Sequence, residues 1–364
     1  MKKKTLIFVQ NVWFPQQWAI DIFYYAKYLS RYDDIHVKVI VSTINNDISH
    51  PNLEILAVWN HGYVSFIYKA YRQIQQRHKQ HFIEYVYFFA QHPWSVLLQC
   101  LIKYTLYIKT IYDVVSWPIG RWILTTIAKY TIKLWVALAD RYVVLDQWIQ
   151  TLLSLPENKK NIIIPMWYDS ELFTPNSTVS RIIKKDNEII FTYIGSLNTE
   201  RRLDIFLQAF QDAIQHTDRK IALYVIWSWS AESELKTIAW NYLDTHIFFL
   251  WSQPHETIPD YINSSDILVS YVPKVSYFEH QPPTKLIEYL ACNKPVIATN
   301  TIAQVKILEW YEFMLHEDDM VSTYRKIKKI ISQFQSIQQG QYNQLIQHLS
   351  WKLLCDKLYN FLMK

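Results

Sequence analysis

The sequence predicts an α/β protein made of two doubly wound domains in series, and three observations support this. Short β-branched runs alternate with helical stretches along most of the chain, which is the pattern of βαβ units and a parallel sheet. The chain has 364 residues, enough for two domains at roughly 150 residues each. Hydrophobic residues make up 50% and charged residues 19%, which excludes disorder and supplies apolar side chains for two cores.

The first half of the chain begins the alternation. Strands are predicted at residues 5–9, 36–42, 53–58, 85–90, 110–115, 141–145 and 161–164. Helices are predicted at residues 18–31, 63–78, 93–104 and 120–139. These elements define a predicted N-terminal domain, residues 1–175, which is followed by a polar stretch with a basic cluster, residues 176–187, predicted as a linker.

The alternation restarts after the linker. Strands are predicted at residues 189–194, 221–226, 246–250, 267–271 and 295–298, and helices at residues 203–215, 231–242, 256–263 and 284–291. The second domain therefore spans residues 188–340, and residues 341–364 are predicted as a terminal helix that packs back toward the N-terminal domain. Because ligands of open α/β sheets bind outside the carboxyl ends of the strands, we expect the chemistry in the loops there.

Charge and cysteine content exclude several classes of function. The net charge of +5 is mild and permits an anionic partner without requiring one. Cys100, Cys292 and Cys355 show no metal-ligand spacing, which excludes a disulfide scaffold and fits a reducing cytoplasm. No basic–aromatic motif indicates nucleic-acid binding. The apolar run 5–9 is too short for a secretory signal, and residues 85–102 contain too many polar groups to span a membrane, so we expect a soluble or peripheral cytoplasmic protein.

The most informative segment is PPTKLIEYLACNKPVIA, residues 282–298. Two prolines end the preceding loop and Thr284 is expected to cap a helix. Lys285 and Glu288 then lie three residues apart on one helical face near its N-terminus, where a carboxylate beside exposed amides can bind vicinal hydroxyls and a phosphate together. The alternative is a surface salt bridge between the two, worth about 0.3 kcal/mol.

This segment resembles the donor-binding signature of the family-4 (group 1) retaining glycosyltransferases of the GT-B fold. Three other segments resemble the family in the same order: ADRYVVL at 139–145, IPMWYDSELFTP at 164–175 and YIGSLNTERRLD at 193–204. The likeness is specific from residue 139 to residue 298 and weaker before. It implies two Rossmann-like domains facing a central cleft, and transfer of a sugar from a nucleotide-sugar to a glycan or lipid-linked acceptor with retention.

The resemblance implies a role for each matching residue. Glu288 would accept hydrogen bonds from the donor ribose, and Arg201 stands where the family has a lysine that holds the donor diphosphate. Lys285 would assist at the phosphates or the sugar. Gly195 and Ser196 form the turn before Arg201, and Ser196 replaces a second basic residue of the family, which removes one phosphate contact.

The sugar and acceptor sides leave alternatives open. The resemblance places His280 near the transferred sugar, whereas chemistry favours its neighbour Glu279, and Thr284 completes this set of candidate donor contacts. Family members often carry a histidine at the end of a strand facing the sugar. Residues 110–116 lack one, so Asp113 and Ser116 are the polar candidates there, and His92 is a second candidate for the acceptor pocket.

Glycine is scarce and tryptophan abundant. Average usage of roughly 7% predicts about 25 glycines, but the chain has 4 glycines and 15 tryptophans. Several tryptophans stand where the resemblance and the backbone both require glycine. Trp13 and Trp18 lie in the expected phosphate loop, Trp227 and Trp251 follow strands on the donor side, and the others are Trp167 and Trp229.

Two explanations compete for these tryptophans. In the first, the indoles are real and obstruct or remodel the cleft, because an indole keeps a diphosphate away from the backbone and resists positive φ. In the second, the gene was translated with UGA as tryptophan although its source reads UGA as glycine. The second explains the glycine deficit and the tryptophan excess together. Asn293, at a helix end where the family has glycine, is separate, because asparagine tolerates the left-handed conformation.

Three further questions concern partners and function class. The apolar stretch 122–135, flanked or interrupted by Arg121, Lys129, Lys133 and Arg141, is either a membrane-surface helix or a core helix with a solvated basic side.

No metal or other cofactor is expected, because cationic side chains and helix amides can neutralise a diphosphate. The alternatives to a glycosyltransferase are a nucleotide-sugar epimerase and a non-catalytic nucleotide-sugar-binding protein.

Overall fold

The computed structural model describes residues 3–10, 13–14, 20–44, 51–58, 62–89, 95–114, 122–175, 179–226, 231–281, 283–308, 311, 314–337 and 340–364. It divides into two compact units. The N-terminal unit consists of Met1–Pro165 together with Trp351–Lys364, and the C-terminal unit is Met166–Ser350. In the described part of the chain, no helix has the length and apolar character needed to cross a membrane.

The N-terminal unit alternates strands and helices as the sequence predicts. Its strands are β1 (Lys4–Val9), β2 (Trp13–Phe14), β3 (Ile35–Val41), β4 (Thr43–Ile44), β5 (Leu53–Ala57), β6 (Ile83–Phe89), β7 (Lys109–Val114), β8 (Arg141–Val144) and β9 (Asn161–Ile163). Its helices are α1 (Ile20–Leu29), α2 (Tyr63–Gln80), α3 (Ser95–Leu101), α4 (Trp122–Leu138), α5 (Gln147–Leu152) and α14 (Trp351–Met363), and a π-helical turn follows α3 at Ile102–Leu106.

Seven of these strands form one parallel sheet in the order β5-β3-β1-β6-β7-β8-β9. The central strands are almost fully buried because helices cover both faces, which explains their nearly continuous apolar sequences. Strand β7 also contains a buried carboxyl group, Asp113, which is described below with the site.

The terminal helix α14 completes this unit by packing against α1. Trp351 is fully buried, and its ring centroid lies 5.2 Å from that of Tyr24 and 4.9 Å from that of Tyr25. Farther along α14, the Tyr359 ring stacks on Tyr32 at 4.0 Å. The N-terminal unit is therefore built from two separate parts of the sequence.

The C-terminal unit repeats the architecture. Its strands are β10 (Glu188–Ile194), β11 (Lys220–Ile226), β12 (Ile247–Leu250), β13 (Ile267–Ser270), β14 (Val296–Thr299) and β15 (Leu315–His316). Its α-helices are α6 (Leu203–Gln215), α7 (Glu232–Ile238), α8 (Ile258–Asn263), α9 (Ser276–Glu279), α10 (Thr284–Ala291), α11 (Ile302–Leu308), α12 (Met320–Ser332) and α13 (Phe334–Ile337). The six strands form a parallel sheet in the order β12-β11-β10-β13-β14-β15.

The unit boundaries differ from the predicted ones for identifiable reasons. Residues 166–175 belong to the C-terminal unit, where Phe173 is part of the core and the amide of Tyr168 donates to the carbonyl of Leu349 over 3.2 Å. The stretch predicted as a linker also packs on this unit: Ile182 lies in its core and Lys184 pairs with Asp266 at 2.7 Å.

The terminal segment predicted as one helix over residues 341–364 is divided into two, and only its second part is α-helical. Residues Tyr342–Leu349 form a 3-10 helix, and α14 begins at Trp351. Ser350 between them is extended, with φ −68° and ψ 141°, and forms a bridge with Tyr168. This pairing interrupts the helix at the point where the chain passes from one unit to the other.

Candidate functional site

The sheet of the C-terminal unit changes its winding direction between β10 and β13. From β10 the chain winds through β11 and β12 to one edge, and β13, β14 and β15 follow on the other side. Ligands of doubly wound sheets bind in the crevice that opens at such a point, at the carboxyl ends of the strands. The β10–β13 pairing ends at Thr192–Leu268, two residues before β10 itself ends. The last residues of β10 therefore need other partners on that side.

Tyr289 of α10 supplies those partners. Its hydroxyl accepts a hydrogen bond from the amide of Ile194 at 2.9 Å and donates one to the carbonyl of the same residue at 3.2 Å. Tyr289 is fully buried. One phenol thus replaces the missing strand partner and fixes the backbone immediately before Gly195.

Gly195 follows β10 with φ +148°, a conformation that residues with a side chain rarely adopt. A Cβ built on Gly195 would lie 3.4 Å from Nζ of Lys285 and 3.6 Å from the hydroxyl of Tyr193. The glycine therefore permits the turn and lets a lysine approach the main chain closely.

Two cations meet beside this turn, each on an aromatic ring. The Lys285 ammonium lies 3.6 Å from the ring centroid of Tyr193, and the Arg201 guanidinium carbon lies 4.4 Å from the ring centroid of Phe278. Both geometries are those of cation–π contacts. Burial and the positive charge of Arg201 hold the pKa of Lys285 well below its ordinary value.

We call Gly195, Arg201 and Lys285 the cation corner. Within the described residues, no carboxylate forms an ion pair with either cation. Two neighbouring positive charges without a counter-ion repel each other, as the lowered pKa of Lys285 reflects. An anion with several oxygens would relieve this repulsion, and arginine and lysine are the residues that bind phosphate groups.

Glu288 lies one helical turn beyond Lys285 but has a different neighbour. Its Oε1 is 3.8 Å from Nε2 of His255, and its side chain is 16% exposed. Burial lowers the pKa of His255, but Glu288, Glu256 and Asp169 outweigh that effect and leave the pKa above its ordinary value. The salt bridge between Lys285 and Glu288 that the spacing allows is not formed, so the carboxylate is available at the edge of the site.

The other predicted donor contacts hold separate positions. Oε2 of Glu279 accepts from the amide of Ile302 at 3.0 Å, which ties it to the start of α11. His280 follows α9 directly and is partly buried. The carbonyl of Ser196 accepts from the hydroxyl of Tyr193 at 3.3 Å.

The predicted cap of α10 is corrected. Pro283 occupies the N-cap position and no side chain caps the helix. The hydroxyl of Thr284 instead lies 3.9 Å from the Met166 sulfur. The reason is local: Thr284 already has helical geometry as the first residue of α10, and a proline in the extended conformation starts this helix without a side-chain acceptor.

The predicted tryptophan positions are only partly described. Trp251 directly follows β12 and is 72% exposed, with the Lys236 ammonium 5.7 Å from its ring. Trp167 is buried in the segment before Tyr168. Trp18, Trp227, Trp229, His92 and Ser116 lie outside the described residues, and for Trp13 only its place in strand β2 is described.

Asp113 occupies a buried position near the carboxyl end of β7 in the N-terminal unit. It is 1% exposed, and its Oδ2 accepts a 2.6 Å hydrogen bond from the hydroxyl of Tyr87. Burial raises the pKa of Asp113 to about 7, and the pKa of Asp21 at the start of α1 is likewise raised to about 7. Asp113 is thus a carboxyl group enclosed by the core.

Sequence reasoning missed Tyr193, Phe278, Tyr289 and His255 as parts of this site. For Tyr289 a signal exists, because it lies four residues after Lys285 and so on the same face of α10. For Tyr193 and Phe278 there is none, because both meet their cations only through the tertiary fold. The described residues contain no cluster of three or more His, Cys, Asp or Glu side chains suited to a metal ion.

Comparison with known proteins bears on the family and the fold of the chain. Residues 177–344, most of the C-terminal unit, match the family described as "Glycosyl transferases group 1". The C-terminal unit therefore resembles the group 1 glycosyltransferases in sequence. The resemblance that begins at the YIGSLNTERRLD and PPTKLIEYL segments is thereby confirmed. No curated protein matches the chain by sequence.

Solved glycosyltransferase structures share the fold of the whole chain. Sucrose-phosphate synthase of Thermosynechococcus elongatus superposes with a TM-score of 0.74 at 15% identity over 99% of both chains. A glycosyltransferase of Rickettsia africae gives 0.72 at 15% identity over 100% of this chain and 98% of its own. HepE of Anabaena, in complex with UDP and glucose, gives 0.70 at 12% identity over 99% of both. The predicted GT-B class, with two Rossmann-like α/β domains, is confirmed.

Proposed function

We propose that the chain is a glycosyltransferase that takes its sugar from a nucleoside diphosphate donor bound at the cation corner. The observation that carries the proposal is the pair of cations, Arg201 and Lys285, beside Gly195 without a carboxylate partner in the described structure. The group 1 match supports glycosyl transfer. The Anabaena HepE structures with UDP and with UDP-glucose support a nucleotide-sugar donor.

Each residue then has a defined role toward the donor. The diphosphate contacts Arg201 and Lys285 and lies against the turn at Gly195. Glu288, one helical turn after Lys285 on α10, accepts hydrogen bonds from the ribose hydroxyls, and the neighbouring His255 holds that carboxylate in place. Ser196 contributes no charge, so Arg201 and Lys285 supply the positive charge at this turn.

The same groups lower the barrier of the reaction. As the bond between the sugar and the phosphate oxygen breaks, its electron pair stays on that oxygen and negative charge grows on the leaving diphosphate. Fixed cations already in place stabilise that charge without reorganisation. In the mechanism we propose, the acceptor hydroxyl attacks from the face that the phosphate leaves and gives its proton to the departing phosphate oxygen. The configuration is retained and no protein nucleophile is needed.

The acceptor is a glycan or a lipid-linked molecule, and we place the enzyme in the cytoplasm, at or near the inner face of a membrane. We assign Asp113 no direct role at the acceptor, because the hydroxyl of Tyr87 donates a hydrogen bond to this carboxyl group inside the core. If the N-terminal unit binds the acceptor, residues other than Asp113 make the contacts.

Titration calorimetry of the full chain with UDP, GDP and ADP and their sugars tests the proposal. We expect Glu288→Ala to weaken the preferred nucleotide diphosphate by about 10- to 100-fold, since hydrogen bonds to a charged group contribute about 1.5–3 kcal/mol. Glu157→Ala, which removes an exposed carboxylate of the N-terminal unit, is the matched control. Unchanged affinity and unchanged donor hydrolysis in Glu288→Ala would contradict the role. An isomerised sugar from donor alone would identify an epimerase instead, and nucleotide binding without turnover a non-catalytic protein.

A further inference from the structure

The helices α2, α3 and α4 form one layer on the N-terminal unit. The connections from β5 to β6, β6 to β7 and β7 to β8 all run in the same direction across the sheet. Since such crossovers are right-handed, the three helices lie on one face of it. They are also neighbours, because α3 packs against both α2 and α4, and the hydroxyls of Tyr71 and Thr105 are 2.7 Å apart between α2 and the π-helical turn.

The outer surface of this layer is unusually apolar. Six large apolar or aromatic side chains on it are between 49% and 71% exposed: Tyr68, Leu97, Tyr104, Ile127, Tyr130 and Leu134. We call this set the outer face. In α4 the stripe is regular, because Ile127, Tyr130 and Leu134 are three and four residues apart and share one side of the helix.

The opposite side of α4 already serves the core. Ile132, Trp135 and Val136 are buried there, so the outward stripe is a second apolar surface and not the side needed for folding. A surface helix of a soluble domain normally places polar residues on its solvent side. An exposed apolar surface of this kind marks an interaction site.

The charge of the same region identifies the partner. Helices α2 and α4 contain no carboxylate, but they carry six cations: Lys69, Arg72, Arg77, Lys79, Lys129 and Lys133. Arg77 pairs with Glu54, and Lys103 of the π-helical turn pairs with Asp140, so the positive charge of the layer comes from the other cations. Lys129 and Lys133 lie beside the apolar stripe on α4 itself.

We propose that the outer face docks on the surface of an anionic lipid bilayer. The aliphatic side chains enter the boundary between headgroups and acyl chains, the tyrosines stay at headgroup level, and the lysines reach the lipid phosphates. A second copy of the chain is a poorer partner, because a symmetric contact would bring this positive region against itself. The inference deepens the proposed location at a membrane by naming the face and the lipid charge.

Vesicle flotation of the full chain tests this docking. The probes are vesicles of phosphatidylcholine alone and vesicles of equal parts phosphatidylcholine and phosphatidylglycerol. We expect binding to the anionic vesicles only, weakened by added salt. Replacing both lysines, Lys129→Gln with Lys133→Gln, should weaken it by roughly 20- to 30-fold, since each cation at such a surface contributes a factor of roughly five. Tyr130→Ser should weaken binding as well.

The matched control is Arg325→Gln with Lys329→Gln, which removes the same charge from exposed positions one turn apart on α12 in the C-terminal unit. It should leave flotation unchanged. Equal flotation on neutral and anionic vesicles, no flotation at all, or no loss in the Lys129/Lys133 variant would overturn the proposal. Self-association abolished by Tyr130→Ser, without vesicle binding, would assign the face to a second copy.

Donor binding is measured on the same samples and separates this inference from the proposed function. The outer-face variants should keep the parent far-UV circular dichroism and the parent affinity for UDP or the preferred nucleotide. If the unsubstituted chain binds vesicles but no nucleotide, the proposed function is contradicted and the docking proposal is supported. If it binds nucleotide but no vesicles, only the docking proposal is contradicted.

Discussion

Replacing Tyr289 by phenylalanine tests how the donor site is held in shape. The substitution keeps the buried ring but removes both hydrogen bonds to Ile194, the 2.9 Å bond from its amide and the 3.2 Å bond to its carbonyl. Strand β13 cannot replace them, because its pairing with β10 ends at Thr192. Each bond contributes about 1 kcal/mol net, and the buried unpaired groups add to the cost, so local stability should fall by about 2–3 kcal/mol.

Amide hydrogen exchange of the full chain measures this loss where it occurs. The free-energy loss corresponds to roughly 30- to 150-fold faster amide exchange at the end of β10 if local opening limits the rate, and nucleotide affinity should fall as well. Tyr193→Phe is the control, because it loses only a 3.3 Å bond to the Ser196 carbonyl and keeps the ring under Lys285. Unchanged exchange at Ile194 and Gly195 in Tyr289→Phe would refute the reasoning.

Three other outcomes are expected. Because burial and Arg201 lower the pKa of Lys285, the affinity for a nucleoside diphosphate should fall as pH rises through that lowered pKa. Lys285→Arg should remove this pH dependence. Calorimetry that shows constant affinity up to pH about 10 would contradict the prediction. Burial lowers the pKa of His316 to about 4, so the stability it provides is present above about pH 6.5 and is lost as pH falls toward 4, by roughly 3 kcal/mol. Urea unfolding should show a weaker pH dependence in His316→Gln, and an identical slope would exclude the effect. Peptide mass spectrometry of the protein from its own source should show glycine at 227 and 229, and indole masses at Trp227 and Trp229 would end the recoding hypothesis.

Most of the fold could be predicted because parallel strands and amphipathic helices leave periodic patterns. Helix α6, Leu203–Gln215, coincides with its prediction, and the predicted strands differ from the observed ones by at most two residues at their ends. The two-residue strands β2, β4 and β15 were not predicted. The terminal helix failed at Ser350, where a bridge to Tyr168 breaks a pattern that is apolar on both sides. That contact joins residues far apart in sequence, so no local pattern contains it.

Some residues of the candidate site could be predicted from the sequence and others could not. Gly195, Arg201 and Lys285 could be found from the segments that carry the family resemblance, and the structure brings them together. The rings of Tyr193 and Phe278 could not, because an aromatic residue that supports a cation looks in sequence like any core residue.

Residues other than glycine occupy several backbone positions where glycine is usually found. Among the described residues, six residues other than glycine adopt positive φ, including Arg202 at 49°, Asp244 at 57° and Asn293 at 56°. Asn293 therefore has the left-handed conformation expected for it. Arg202 occupies the glycine position of the YIGSLNTERRLD segment, which the sequence reasoning did not notice. The fully buried Trp351 differs from the exposed Trp251, because its indole fills an aromatic cluster with Tyr24 and Tyr25.

The division of the N-terminal unit between two parts of the chain sets an order of events during synthesis. A ribosome releases residues 1–165 long before it makes α14, so the surface of α1 that receives Trp351 stays uncovered in the meantime. The C-terminal unit is continuous and can close as soon as residue 350 has emerged. The half of the protein that is translated first is therefore finished last, and a nascent chain stalled before Trp351 would expose an aromatic surface to chaperones.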